Sequence, residues 1–215
     1  MSTLIRFVQL VLLIALVPVA NAAALAPRTI LVLGDSLSAG YGIQIQQGWV
    51  SLLTQRLATE GYGYQVVNAS VSGETTQGGL ARLPRALELH KPAIVIVELG
   101  GNDGLRGLPL TASRANLEQI IEKARAAKAR VLLAGMVIPP NYGPRYGQEF
   151  RDMFPSLAAK YSVPLVPFLL DQVALKPELM QADGIHANAQ GQPQLLNNVW
   201  PKLKPLLLAP GKPAG

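Results

Sequence analysis

The sequence predicts an α/β fold, a three-layer α/β/α flavodoxin-like sandwich around a central sheet of five parallel strands. Three observations lead there. Apolar runs alternate with helical patterns along the whole chain. Several of those runs are continuously apolar, as strands buried on both faces are, rather than alternating. The 215 residues suit one domain with a full core, and 49% are hydrophobic against 15% charged.

The elements follow in order. "TILVLG" (29–34) reads as a buried strand, and "WVSLLTQRLATEG" (49–61) as a helix ended by Gly61. "YQVVNAS" (64–70) is the second strand, and "GLARLPRALELH" (79–90) a helix with Pro84 near its first turn. "AIVIVELG" (93–100) is the most hydrophobic strand. In the helix near 111–128, Leu117, Ile120, Ile121 and Ala124 form one apolar stripe, with Thr111 as its N-cap. "RVLLAGMVI" (130–138) is the fourth strand, followed by a Pro/Gly-rich loop and an amphipathic segment near 147–161. "VPLVPF" (163–168) is the fifth, and a helix over 189–207 carries Leu195, Leu196, Val199 and Leu203. Strand order is not legible in this pattern.

Outside that domain (28–207) lie two further segments. Arg6, the apolar run "FVQLVLLIALVPVA" and the small residues "NAAALA" read as a signal peptide over residues 1–22, with cleavage near Ala22 to Ala24. The run is shorter than the roughly 20 residues a spanning helix needs. The expected location is therefore the periplasm, or beyond it. The end, 208–215, reads as a flexible tail.

Composition narrows the function classes. The chain has no cysteine, which excludes disulfides, thiolate zinc sites and cysteine nucleophiles. Its formal net charge is +6, and cleavage at residue 22 removes one cation, Arg6, and no acid. The basic residues are scattered and no basic tract is interleaved with aromatics, so no nucleic-acid partner is expected. Transient contact with an anionic lipid surface fits the charge better. P-loop, dinucleotide, H-E-x-x-H and G-x-S-x-G signatures are all missing, and two distant histidines make a poor metal site. Neither a metal nor a cofactor is expected.

The polar residues that remain follow the strands. "GDS" with Ser36 comes after the first, "NASVSGET" with Gly73 after the second, and "GGND" with Asn102 after the third. "DGIHAN", with Asp183 and His186, comes after the fifth. A parallel sheet delivers all four loops to one edge, where ligands bind in this architecture. His186 lies three residues after Asp183, close enough for a carboxylate to set the imidazole tautomer and leave the other nitrogen as a base. Each block has a plainer reading: Ser36 and Asp35 as helix caps, and Asn102-Asp103 as an Asx turn. Asp35 itself is assigned to structure. His90 has only the plain reading, a histidine at a helix end.

The blocks "GDSLSAGYG", "NASVSGET", "VELGGND" and "DGIHAN" occur in the order of the SGNH-hydrolase (GDSL-lipase) superfamily, which this chain resembles. It is closest in style to the periplasmic thioesterase I / protease I / lysophospholipase group of arylesterases. The resemblance implies a serine esterase that cleaves carboxylic esters and thioesters through an acyl-Ser36 intermediate. His186 is then the general base and Asp183 its orienter. Gly73, Asn102 and the Ser36 backbone N–H form the oxyanion hole. Glycine permits close backbone approach, and a carboxamide offers a neutral donor to the developing charge.

For the acyl group, "GLRGLPL" (104–110) reads as a lid, with Gly104 and Gly107 as hinges and Leu105, Leu108 and Leu110 as apolar surface. Pro140, Tyr142 and Tyr146 suggest a second wall, or an ordinary surface loop. The expected partner is a small-molecule acyl ester or thioester, and the expected state a monomer. A polysaccharide acetylesterase and a non-catalytic acyl- or glycan-binding module are the alternatives.

Overall fold

The computed structural model describes residues 28–209. The expected signal peptide and all but the first two residues of the expected tail lie outside this range.

Five strands form one sheet in the order β2-β1-β3-β4-β5. They are β1 (Arg28–Gly34), β2 (Tyr64–Asn68), β3 (Ile94–Glu98), β4 (Arg130–Ala134) and β5 (Leu165–Val166). Every neighbouring pair is parallel. The central strands are the continuous apolar runs, and Ile30 to Leu33 and Ile94 to Val97 are fully buried. Such strands need a layer on each face. Helices α2 (Trp49–Thr59) and α7 (Gln192–Leu203) pack together on one side. On the other, α5 (Leu110–Ala126) packs between α3 (Thr76–His90) and α6 (Pro144–Tyr161). Two short helices, α1 (Ser36–Ala39) and α4 (Gly101–Leu105), follow β1 and β3 directly.

The chain steps from β1 outward to β2, then crosses back to β3 on the other side of β1. The carboxyl ends of β1 and β3 are thus the point where winding reverses, the natural crevice of an open α/β sheet. Ser36 and Asn102 sit on the two short helices at that point.

Several boundaries differ from the sequence expectation, each for a local reason. Helix α3 begins at Thr76, because Thr75 caps it by accepting a hydrogen bond from the Gly78 N–H. Pro84 therefore lies mid-helix instead of in the first turn, on an exposed face where water can meet the carbonyl it frees. Thr111 is not the cap of α5. The helix starts at Leu110, and the Pro109 carbonyl accepts from the N–H groups of Ala112 and Ser113. Strand β5 shrinks to two residues, since Pro164 and Pro167 on either side lack the N–H a ladder needs. The last helix is confined to Gln192–Leu203, where Pro193 opens it and Pro205 turns its end into a short 3-10 turn. His90 ends α3 just before β3, at the edge opposite Ser36. Among the described residues no helix is long and apolar enough to cross a membrane.

Candidate active site

The site starts at the end of β1. Gly34 has no room for a side chain: a Cβ there would lie 2.7 Å from Glu98 Oε2, 2.8 Å from Ser70 Oγ and 2.9 Å from Ser38 Cβ. The chain then turns at Asp35, whose Oδ1 accepts from the Leu37 N–H at 3.0 Å and caps α1. Capping thus falls to Asp35 and leaves the Ser36 hydroxyl free of that role in the first turn.

His186 reaches Ser36 from across the edge, Nε2 to Oγ at 2.7 Å. Its Nδ1 meets Asp183 Oδ2 at 2.6 Å. The other oxygen, Oδ1, accepts from the N–H groups of Ile185 (2.9 Å) and His186 (3.1 Å), so the turn around Gly184 (φ 66°) folds around the carboxylate. Partial burial pushes the Asp183 carboxyl upward, but the hydrogen bonds from His186 and the two backbone N–H groups outweigh it. The net result lies below the ordinary carboxylate range. With Asp183 ionised, Nδ1 carries the imidazole proton and Nε2 is the acceptor facing the Ser36 hydroxyl. The Tyr41 ring packs on the imidazole, centroids 4.6 Å apart.

Asn102 is held from the same turn. Its Nδ2 donates to Asp35 Oδ2 at 3.1 Å, which faces the amide nitrogen into the crevice and leaves one N–H free. Its neighbour Asp103 is buried and accepts from the Thr76 N–H (2.9 Å), the Thr76 hydroxyl (2.5 Å) and the Ser113 hydroxyl (3.0 Å). This ties α4 to the start of α3 and to α5. Gly73, three residues before Thr76, has φ 79°, and its carbonyl oxygen accepts from Arg106 Nη2 at 2.9 Å. Arg82 braces the same loop by pairing with Glu74 and bonding the carbonyls of Ala69 and Gly34.

Beside Ser36 opens an apolar cleft of about 420 Å³. Leu105, Met136, Ile138, Phe168, Leu170 and Ile185 are among its lining residues. Of the expected lid residues, only Leu105 lines it. Leu110 starts α5 and packs against the core. Leu108 is partly exposed, its carbonyl accepting from the Tyr146 hydroxyl at 3.1 Å. Tyr142 is a strut behind the cleft, its hydroxyl donating to the Leu105 carbonyl at 2.7 Å. Gly104 is no hinge, because a Cβ there would meet Ile138 and Phe150 at 2.7 Å. Gly107, with φ 63° and open space around it, retains that freedom.

Of the second wall expected after β4, Pro140 lines the cleft together with Ile138 and Pro139. Sequence reasoning missed Met136 and the wall after β5, because these apolar residues look like core. It also missed Glu98, although an acid within "AIVIVELG" is a visible anomaly. Burial pushes Asp35 up to about 6, and burial together with the Asp35 charge raises Glu98 well above the usual range.

The profile of the GDSL-like lipase/acylhydrolase family matches residues 32–193, from β1 to the start of α7. The chain belongs to that family. It is 56% identical to the esterase TesA of Pseudomonas aeruginosa over 85% of this chain and 90% of that one. It is 46% identical to thioesterase 1/protease 1/lysophospholipase L1 of Escherichia coli K12, over 86% of this chain and 87% of that one. A crystal structure of TesA superimposes with a TM-score of 0.82, covering 84% of this chain and 100% of that chain. The chain is an ester hydrolase of the GDSL type.

Proposed function

We propose that this chain is an exported serine esterase whose catalytic residues are Ser36, His186 and Asp183. The observation that carries the reading is the continuous line from Asp183 through His186 to Ser36, two contacts of 2.6 and 2.7 Å. In the first half-reaction Ser36 Oγ attacks the acyl carbonyl while His186 Nε2 takes its proton. The imidazolium, steadied by Asp183, returns that proton to the leaving alcohol or thiol as the carbonyl–leaving-group bond breaks. Water then attacks the acyl-Ser36 ester with the same base, releasing the acid and restoring the hydroxyl. The free N–H of Asn102 and the backbone N–H groups of Gly73 and Ser36 receive the oxyanion.

A lipid-type ester is the substrate class. The apolar cleft beside Ser36 suits an acyl chain, and the surface around it is apolar as well. Of the eight large hydrophobic residues exposed among the described ones, seven lie in the connections that follow the strands at the carboxyl edge of the sheet. They include Tyr41, Val71, Val137, Leu175 and Ile185; only Leu89 is elsewhere. Such a rim suits transient contact with lipid by a monomer. The expected signal peptide, periplasmic location and domain limits of 28–207 favour lysophospholipid or another envelope ester over acyl-CoA, although thioesters and aryl esters offer the same carbonyl. No nucleic acid enters this scheme.

The test is hydrolysis of p-nitrophenyl esters from acetate to palmitate by the mature domain, with Ser36→Ala as control. Turnover that requires Ser36 and peaks at medium or long chains is the expected result. Turnover of acetate alone would favour a polysaccharide acetylesterase, and none at any length a binding module.

A further inference from the structure

One buried acid has no part in the reaction as described. Glu98 ends β3 and is wholly buried. Its Oε2 accepts from the Ser38 hydroxyl at 2.5 Å and from the Asp35 N–H at 3.2 Å. Its Oε1 accepts from no donor and is sealed from solvent. No cation pairs with it among the described residues. The one nearby guanidinium, that of Arg82, is engaged by Glu74 and by the Gly34 and Ala69 carbonyls. The group beside Glu98 is another acid, Asp35, whose backbone N–H donates to Glu98 Oε2 at 3.2 Å and whose charge helps to raise the Glu98 carboxyl.

Two neighbouring carboxyls without a cation in a dry pocket do not both ionise readily, so one proton stays on the pair. Its place follows from the partners. Asp35 is supplied with donors, the Leu37 N–H on one oxygen and the Asn102 amide on the other. Glu98 has an oxygen with none. The ionised form belongs where the donors are, and the proton where they are missing.

We propose that Glu98 is a positioning residue that keeps a proton at neutral pH and donates it to the Asp35 carboxylate, holding Asp35 as the acceptor that turns the Asn102 amide nitrogen toward the substrate oxygen. The role of Asn102 in this statement rests on the reading given under Proposed function. The directions of the two acids agree: burial lifts both, Asp35 to about 6 and Glu98 well above its ordinary range. The groups facing the pair are Ser38 from α1, Asn102 from α4 and His186 from the turn before α7, whose charge favours ionised Asp35. Behind it, Arg82 of α3 holds the Gly34 carbonyl. When Glu98 loses its proton to solvent at alkaline pH, a second negative charge is left against Asp35. The Asn102 and Leu37 contacts then loosen.

Glu98→Gln and Glu98→Ala in the mature enzyme test this. Glutamine keeps an acceptor for Ser38 and a neutral donor for Asp35, but it cannot ionise. The infrared spectrum of wild type at neutral pH should contain a carbonyl band of a protonated carboxylic acid that Glu98→Gln lacks. Glu98→Gln should keep kcat within severalfold, with its alkaline decline moved upward or gone. Glu98→Ala should lower kcat by up to about a hundredfold, the lower end of losing an oxyanion donor, and change KM less. Should the alanine variant not fold, the band and the Glu98→Gln pH profile decide alone. Absence of the band, or a Glu98→Gln enzyme with an unmoved alkaline decline, overturns the proposal. If instead Asn102→Ala leaves kcat unchanged while the band is present, the oxyanion reading fails and the proton assignment stands.

Discussion

Two acidic regions flank Ser36, and the same functional group behaves oppositely in them. Asp183 sits at the partly open rim, where an imidazole and two backbone N–H groups converge on it and hold its carboxyl low. Asp35 and Glu98 sit beside Ser36, where burial dominates and both carboxyls are pushed up. The difference lies in donors and water, not in the residue type. A carboxylate used to stabilise a transient imidazolium must stay charged. A buried pair that holds a neutral amide in place can keep one proton between its two carboxyls.

The largest break in this comparison comes from the rim. Asp183→Asn keeps the shape but offers Nδ1 an amide, which no longer selects the tautomer that leaves Nε2 free. A drop in kcat of about 10⁴ is expected, by analogy with the same change in a serine protease triad. Steady-state kinetics on a p-nitrophenyl ester measures it, and a drop below tenfold would mean that Asp183 does not orient His186.

The buried side should respond less. Asn102→Ala removes a single donor and is expected to lower kcat by about 10²–10³ with KM little changed. Equal loss in binding of a substrate analogue would show a ground-state contact instead.

The smallest effect separates the two regions by stability alone. The Asp183 carboxyl is lower in the folded chain than in the unfolded one, so its contribution is present above about pH 4 and is lost as pH falls through the lower folded value. The Asp35 carboxyl is raised to about 6. Its contribution is therefore complete below about pH 4 and is lost as pH rises through about 6. Urea unfolding from pH 3 to 8 should show Asp183→Asn flattening the acid side of the profile and Asp35→Asn the side around pH 6. If both variants flattened the same side, the assigned environments would be wrong.

What could be read without coordinates follows from short-range chemistry. Continuous apolar runs such as "ILVL" and "IVIV" determined parallel buried strands, because only a sheet covered on both faces buries every residue in them. The order of the loop blocks determined that Ser36, Gly73, Asn102, Asp183 and His186 lie after strands and so on one edge. Element ends were less legible at Pro84, Thr111 and Pro164, where a cap or a missing N–H outside the pattern decided the boundary. Only the tertiary structure decided the strand order, since nothing local distinguishes a step to either side of β1. It also decided which apolar residues are cleft and which are core, because Phe168, which lines the cleft, has the same chemistry as Leu169, which is wholly buried. And it decided that Asp35 and Glu98, 63 residues apart, meet in one dry pocket. The energy of an ionised group depends on every neighbour around it, and here those neighbours come from α1, α3, α4 and the turn before α7.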